Sequence, residues 1–310
     1  MDICVFGAGS LGSLVGGLLA DEHDVTLVGR QPHVDAVTTD GLRIVGALDR
    51  TRSVAARTDA PEQADLAVVT VKSFDTETAA RDLGHVSLDG ALSLQNGMGN
   101  EELLASHLDC PVLAGTCTYG ARLLEPGIVE CTGTGTIVLG PHEGGTSSFA
   151  DRAGEAFAET DIETEVSEEM PRKRWEKLAV NAGINAATAL ARVPNGALVG
   201  GPAEPVARNA ALETARVGRR QGITLDDEEL VDTTLAVADA TARNTSSMLQ
   251  DVRAGKRTEI DAINGFVVDQ ADEPVPVNET LACLVRAWEE SHEPGGRERT
   301  RRDRSRPVRR

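Results

Sequence analysis

The opening twenty residues, MDICVFGAGSLGSLVGGLLA, constrain the fold more than any other part of the chain. Ile3, Cys4, Val5 and Phe6 form a continuous apolar run, the pattern of a strand buried on both faces. Gly7, Ala8, Gly9, Ser10, Leu11 and Gly12 follow at once, and then an apolar, glycine-rich helical stretch. A lone GxGxxG says little, but between a strand and a helix each glycine has a task. Gly7 permits the tight turn, Gly9 lets the backbone approach a pyrophosphate, and Gly12 lets the helix pack on the strand. The amides of the first helical turn then face the phosphates. This stretch reads as the start of a Rossmann-type α/β domain that binds a dinucleotide.

The next segments extend that domain. Residues 24–28 read as a second strand, followed by Gly29 and Arg30, where an NAD-binding fold usually carries an acid for the ribose 2′-hydroxyl. Arg30 suits a 2′-phosphate instead, and so NADP, the alternative being a solvated loop arginine. Residues 41–58 alternate like a short added hairpin. Residues 65–71, DLAVVTV, read as a central parallel strand with Lys72 at its carboxyl end, and residues 91–94 as another that leads into Gln95-Asn96-Gly97. Ligands of open parallel sheets bind beyond the carboxyl ends of the strands, which puts Lys72 and Asn96 in the right place. The plainer alternatives are a surface lysine and a turn asparagine. Residues 111–116 and 128–140 supply further β structure, and from residue 155 onward strand signals nearly vanish.

At 310 residues the chain has room for two domains with cores of their own. We expect a dinucleotide-binding domain over 1–167, an α-helical domain over 168–293 and an Arg-rich, disordered tail over 294–310. The tail carries no apolar periodicity. Its last sixteen residues hold eight arginines and two acids, a net +6, so residues 1–294 carry −24 of a total formal charge of −18. Such an acidic body repels nucleic acid and anionic membrane, and we expect neither as a partner. Lysine is nearly eliminated: only Lys72, Lys173, Lys177 and Lys256 stand among 31 basic residues. Abundant acids with scarce lysine fit adaptation to high salt, and they make each remaining lysine a candidate for a specific role. Five cysteines without a CxxC pair argue against a disulfide framework or a zinc site. With no apolar run of membrane-spanning length and no basic leader, the expected location is the cytoplasm.

Residues 175–193, WEKLAVNAGINAATALARV, concentrate the chemistry of the second half. At 100° per residue Lys177, Asn181, Asn185 and Thr188 share one narrow face of an otherwise small, apolar helix. A lysine and two amides on an enclosed face either satisfy one another or bind a polar ligand. Beyond a turn at residues 194–196, helices are expected over 204–221, 226–244 and 276–290. Residues 244–266, NTSSMLQDVRAGKRTEIDAINGF, form a second polar-dense segment with Ser246, Ser247 and Glu259. The serines can simply cap a helix, and a glutamate in such a place is commonly an exposed helix acid.

Taken together, GAGSLG, Val71-Lys72, QNGMGNEE, GTCTYGA, WEKLAVNAGINAATAL, PNGAL and the segment 244–266 resemble the ketopantoate reductase (2-dehydropantoate 2-reductase) family up to about residue 293. The resemblance implies a Rossmann-type domain followed by an all-α domain of the 6-phosphogluconate dehydrogenase C-terminal-like kind. It also implies NADPH-dependent reduction of ketopantoate to (R)-pantoate, a step toward pantothenate and coenzyme A. By the same resemblance, Lys177 protonates the carbonyl oxygen, and Asn181, Asn185, Asn195 and Ser247 hold the substrate. Lys72, Asn96, Ala121 and Glu259 serve the cofactor and the catalytic cleft, with Asn96 touching both ligands. Ala182, Gly183 and Ala187 stand where the family carries bulkier neighbours, and Tyr119 and Gly120 alter the loop before Ala121, differences that bear on substrate affinity more than on reaction type. A non-catalytic NADPH-binding sensor and a reductase of another branched 2-oxo acid remain alternatives, and a homodimer is left open.

The chemistry of the residues agrees with this. Hydride addition to a ketone develops negative charge on oxygen, which a nearby ammonium can stabilise and protonate. Asn181, Asn185 and Ser247 can donate to the carboxylate of a 2-oxo acid without a second buried cation. Glu259 could orient Lys177 and keep it charged. The six histidines are scattered and HExxH is absent, so no metal is expected.

Overall fold

A computed structural model describes residues 1–292; the reading of the Arg-rich tail falls outside the described residues. The chain divides into two compact units, Met1–Arg174 and Trp175–Arg310.

The first unit holds strands β1 (Asp2–Phe6), β2 (Asp24–Val28), β3 (Leu42–Gly46), β4 (Arg50–Arg52), β5 (Ala55–Arg57), β6 (Gln63–Val69), β7 (Ser87–Ser93), β8 (Val112–Cys117), β9 (Gly120–Glu125), β10 (Ile128–Gly133), β11 (Thr136–Pro141) and β12 (Glu163–Val166). Its helices are α1 (Ser10–Leu19), α2 (His33–Asp40), α3 (Thr76–Leu83), α4 (Asn100–Ala105) and α5 (Ser148–Ala158). The main sheet runs β12-β11-β8-β7-β6-β1-β2-β5. The strands from β8 to β5 are parallel, β11 is antiparallel to β8, and β12 runs parallel to β11. The order β5-β2-β1-β6-β7-β8 is the doubly wound order of dinucleotide-binding folds, with β1 at its centre.

The period of two in β1 explains why it needs apolar residues throughout. Ile3 and Val5 pack on one face with Leu14, Val15 and Leu18 of α1. Cys4 and Phe6 pack on the other with Ala79, Ala80 and Leu83 of α3.

Two expectations for this unit need correction. Residues 41–58 are not simply a hairpin: β3 pairs antiparallel with β4, but β5 leaves to become the third parallel strand beside β2. The second sheet runs β4-β3-β10-β9. Strand structure also continues past residue 155, because β12 closes the main sheet as a short edge strand. Its sequence, ETEV, is mostly exposed and half charged, which suits an edge and hides it from a search for apolar runs.

The division between units falls inside helix α6 (Met170–Ala191), which starts five residues earlier than its apolar pattern indicated. The second unit continues with α7 (Glu204–Arg220), α8 (Asp227–Ala240), α9 (Ser247–Arg253), α10 (Phe266–Asp269) and α11 (Pro276–His292), together with a π turn at Asp261–Gly265. The Asp226 side chain caps α8, accepting from Glu229 N at 2.9 Å, with acids filling the first turn as the helix dipole favours. That helix ends at Ala240 rather than near residue 244. Gly183 explains one of the small residues on α6: a Cβ there would stand 2.8 Å from Thr234 Cγ2 and 2.9 Å from Ala207 O, so its absence lets α7 and α8 pack closely.

Among the described residues no helix is long and apolar enough to cross a membrane, and no group of three or more His, Cys, Asp or Glu could hold a metal ion.

Candidate active site

In the first unit the glycine loop leaves β1 with Gly7 at φ +114°, a conformation that side chains resist. The Gly7 and Ala8 amides both donate to Val28 O, at 2.9 and 2.8 Å, which ties the loop to the end of β2. A Cβ on Gly12 would lie 2.3 Å from Gly7 O and 2.4 Å from Thr70 Oγ1, so only glycine fits. Gly9 is the N-cap of α1 and is exposed, and a Cβ there would meet nothing nearer than 3.9 Å. The first intrahelical bond is Ser13 N to Gly9 O at 3.0 Å, which leaves the amides of Ser10, Leu11 and Gly12 without intrahelical acceptors. An uncapped helix start under a bare glycine fits the pyrophosphate of a dinucleotide.

The strand order brings the other candidates of this unit to the same edge. Arg30 follows β2, Lys72 follows β6, and Asn96 follows β7, all past the carboxyl ends of parallel neighbours. The strand before Lys72 ends at Val69, so the lysine sits in the loop rather than on the strand. Arg30 is 88% exposed and donates to Asp75 Oδ2 at 3.0 Å. An exposed pair of this kind contributes about 0–1 kcal/mol and leaves the guanidinium open to a stronger anion. Lys72 and Asn96 are half-buried. Their loops are stitched together by side chains that sequence reasoning passed over. Gln95 Nε2 donates to Val71 O at 3.1 Å and to Thr76 Oγ1 at 2.7 Å, Thr76 Oγ1 donates to Asn100 Oδ1 at 2.8 Å, and Asn100 Nδ2 returns to Asn96 O at 3.1 Å. Ala121 lies apart from this edge, on β9 of the second sheet, but Ser10 Oγ accepts from Leu123 N on the same strand at 3.0 Å.

Two further buried groups of this unit gave no signal in sequence. Arg174, at the start of α6, donates to Glu101 and, at 3.1 Å, to Glu102 on α4. Burial pushes the Glu101 carboxyl up despite the arginine beside it; at the more exposed Glu102 burial acts the same way, but the hydrogen bond and charge of Arg174 outweigh it and hold that carboxyl down. His33 accepts from Gly127 N at 3.1 Å through Nδ1, so its Nε2–H donates to Ser13 Oγ at 3.0 Å. Burial holds this imidazole below the usual histidine range, as a ring used in its neutral form requires.

In the second unit Lys177 and Asn181 are half-buried, Asn185 is buried and Thr188 is fully buried, so the polar face of α6 becomes more enclosed along the helix. At its far end Thr188 Oγ1 lies 2.7 Å from Ser246 Oγ, and Ser246 also caps α9 by accepting from Leu249 N at 3.2 Å. The neighbouring Ser247, the expected ligand, is half-buried in the first turn of α9. Asn195 is buried; its Nδ2 donates to Thr241 Oγ1 at 2.9 Å, and its backbone N to Asn244 O at 3.1 Å. Its Oδ1 has no hydrogen-bond partner among the described residues. Glu259 is 5% exposed, which overturns the plain expectation of a surface helix acid. A buried carboxylate needs cations or donors around it.

The strand order, the glycine loop and its uncapped helix define a Rossmann-type dinucleotide-binding protein with a separate helical unit. The family models for "Ketopantoate reductase PanE/ApbA" and "Ketopantoate reductase PanE/ApbA C terminal" match residues 3–144 and 169–289. The chain belongs to this ketopantoate reductase family. A 2-dehydropantoate 2-reductase of Halobacterium salinarum is 46% identical, with 92% of this chain and 98% of the relative covered. One from Archaeoglobus fulgidus is 41% identical, with 92% and 97% covered. Among solved structures, a PanE/ApbA family ketopantoate reductase from Ralstonia eutropha superposes with a TM-score of 0.87 at 34% identity, covering 94% of this chain and all of that one.

Proposed function

We propose that the protein reduces 2-dehydropantoate (ketopantoate) to (R)-pantoate with NADPH, on the way to pantothenate and coenzyme A, in the cytoplasm and in high salt. The observation that carries this is the face of α6, where Lys177, Asn181 and Asn185 pass from half-buried to buried in a chain of this family. NADPH, when bound, supplies the hydride that adds to the carbonyl carbon of the oxo acid.

The protein's residues do the rest. Gly7, Ala8, Gly9, Ser10, Leu11 and Gly12 hold the pyrophosphate through backbone amides, and Arg30 reads the 2′-phosphate. Lys72, Asn96 and Ala121 complete the nucleotide's binding. Lys177 gives a proton from Nζ to the carbonyl oxygen as that oxygen gains charge, so the ketone becomes an alcohol. Glu259, a buried carboxylate, orients Lys177 and favours its charged form. Asn181, Asn185 and Ser247 donate to the substrate carboxylate and hydroxyl, Asn195 offers its unpartnered Oδ1 to the hydroxyl, and Asn96 contacts both ligands. Five free cysteines, which suit a reducing compartment, support the cytoplasmic location. The charge of −18, with lysine nearly absent, supports a saline setting and speaks against a nucleic-acid partner.

The test is the nicotinamide absorbance of purified protein with NADPH in molar salt. Ketopantoate-dependent oxidation of NADPH is expected. Turnover with another branched 2-oxo acid in preference to ketopantoate would replace the substrate, and NADPH binding without any turnover would make the protein a sensor.

A further inference from the structure

Glu259 lies in a segment fixed on both sides. On its amino side, Thr258 N donates to Glu289 Oε1 at 2.6 Å. On its carboxyl side the chain makes a π turn, closed by Gly265 N on Ile260 O at 2.9 Å. A π turn takes one more residue than an α turn and so rotates the side chains that follow it.

Asn264 sits in this turn. Its Nδ2 donates twice, to Ala182 O of α6 at 3.1 Å and to Asn278 Oδ1 at 2.9 Å. Asn278 in turn donates from its side chain to Ala210 O at 3.1 Å and to Glu213 Oε2 at 2.9 Å. Glu213 also accepts the first-turn amides of α11, from Val277 at 3.0 Å and Asn278 at 2.9 Å. Asn264 and Asn278 are fully buried and Glu213 nearly so. The chain of bonds thus runs from a carboxylate on α7, through the start of α11 and the π turn, to the backbone of α6 one residue past Asn181.

Cohesion alone does not explain Asn264. Ala182 O is a mid-helix carbonyl that already receives an intrahelical N–H. Asn264 Oδ1, fully buried, finds no hydrogen-bond partner among the described residues. An amide half satisfied in a core is less favourable than an apolar side chain of the same size. What the amide supplies is direction: two acceptors fix where the π turn meets α6.

We propose that Asn264 is a positioning residue for the reduction, bracing the segment that carries Glu259 against the turn of α6 that follows Lys177 and Asn181. This rests on the roles proposed above for Lys177 and Glu259. Asn264→Leu keeps the branched outline of the side chain, at a larger volume, and removes the brace. It should lower kcat per folded molecule by about ten- to a hundredfold through misplacement of the Glu259 segment, with NADPH Kd and the KM for ketopantoate little changed and Tm lowered by the loss of the donor to buried Asn278 Oδ1. Asn264→Asp sets a carboxylate against two acceptors, and only its protonated form can donate. Its kcat per folded molecule, with the folded fraction measured at each pH, should therefore rise relative to wild type as pH falls, whereas a purely structural defect would change the folded fraction alone.

Full kcat in Asn264→Leu would overturn the proposal. So would a fall in kcat that only tracks the folded fraction, with a parallel loss of NADPH binding. If Asn264→Leu does not fold, a pH-independent kcat ratio in Asn264→Asp has the same force. An inert wild type, or a Lys177→Ala enzyme with full kcat, would remove the underlying roles instead.

Discussion

The two units work through different parts of the polypeptide. The first presents backbone at the site proposed for the nucleotide: amides of Ser10, Leu11 and Gly12 at an uncapped helix start, beside glycines whose side chains would clash or intrude. The second presents polar side chains on α6, α9 and the segment around Glu259, from half-buried Lys177, Asn181 and Ser247 to buried Asn185, Thr188 and Glu259. A backbone site depends on the shape of the loop and tolerates much variation around it. A side-chain site depends on every group that aims another, the role proposed above for the buried network that runs from Glu213 to Ala182 in the second unit. Damage to the first unit should therefore appear as lost stability or nucleotide affinity, and damage to the second as lost chemistry.

The largest effect is expected where the first unit itself relies on buried side chains. Arg174→Leu strands Glu101 in the core and should cost about 3–5 kcal/mol in chemical denaturation, whereas Arg174→Leu with Glu101→Leu should recover most of it. The unpaired Glu101, its pKa already raised by burial, holds its proton in the native state more readily than in the unfolded state. The single variant should therefore regain stability as pH falls, and a pH-independent defect would count against an uncompensated carboxylate. Next, Gly12→Val places a side chain against Gly7 O and Thr70 and should weaken NADPH binding by about a hundredfold, roughly 2.7 kcal/mol. Titration by nucleotide fluorescence checks this, and unchanged affinity would deny that the loop is a backbone site. Arg30→Ala should raise the KM for NADPH about tenfold and leave that for NADH unchanged, an effect the size of one charged hydrogen bond; an unchanged ratio would assign the 2′-phosphate elsewhere.

The smallest effect concerns His33. Its pKa is depressed in the native state, so the unfolded chain binds more protons below the free imidazole value of 6.5. Its contribution to stability is complete above that pH and is lost as pH falls from there through the depressed native value. Unfolding curves of wild type and His33→Gln should converge in that window; parallel curves would show that the ring is not held neutral.

The same contrast explains what could be read from sequence. A backbone site leaves glycines at fixed spacing, and Gly7, Gly9 and Gly12 lie where their order required, between a strand ending at Phe6 and a helix starting at Ser10. The α6 face was legible because helical periodicity is local. Groups that matter through distant partners left no such mark. The burial of Glu259, the pairing of Arg174 with Glu101 and the Glu213–Asn278 link across 65 residues depend on contacts that periodicity does not encode. The parallel pairing of β5 beside β2, and β12 altogether, escaped for a related reason: both strands are edges of the main sheet, and edge strands need not be apolar. The residues alone did not separate the candidate ligand Ser247 from its neighbour Ser246, since either can start a helix; the family resemblance singled out Ser247, and it is Ser246 that caps α9.

The direct test of the division of labour is Lys177→Ala, with kcat for ketopantoate reduction and Kd for NADPH measured on the same preparation. If the Lys177 amine protonates the new alkoxide, kcat should fall by about 10²- to 10⁴-fold while Kd for NADPH stays at the wild-type value. A variant that keeps near-wild-type kcat, or one that loses nucleotide affinity in step with its activity, would contradict that role.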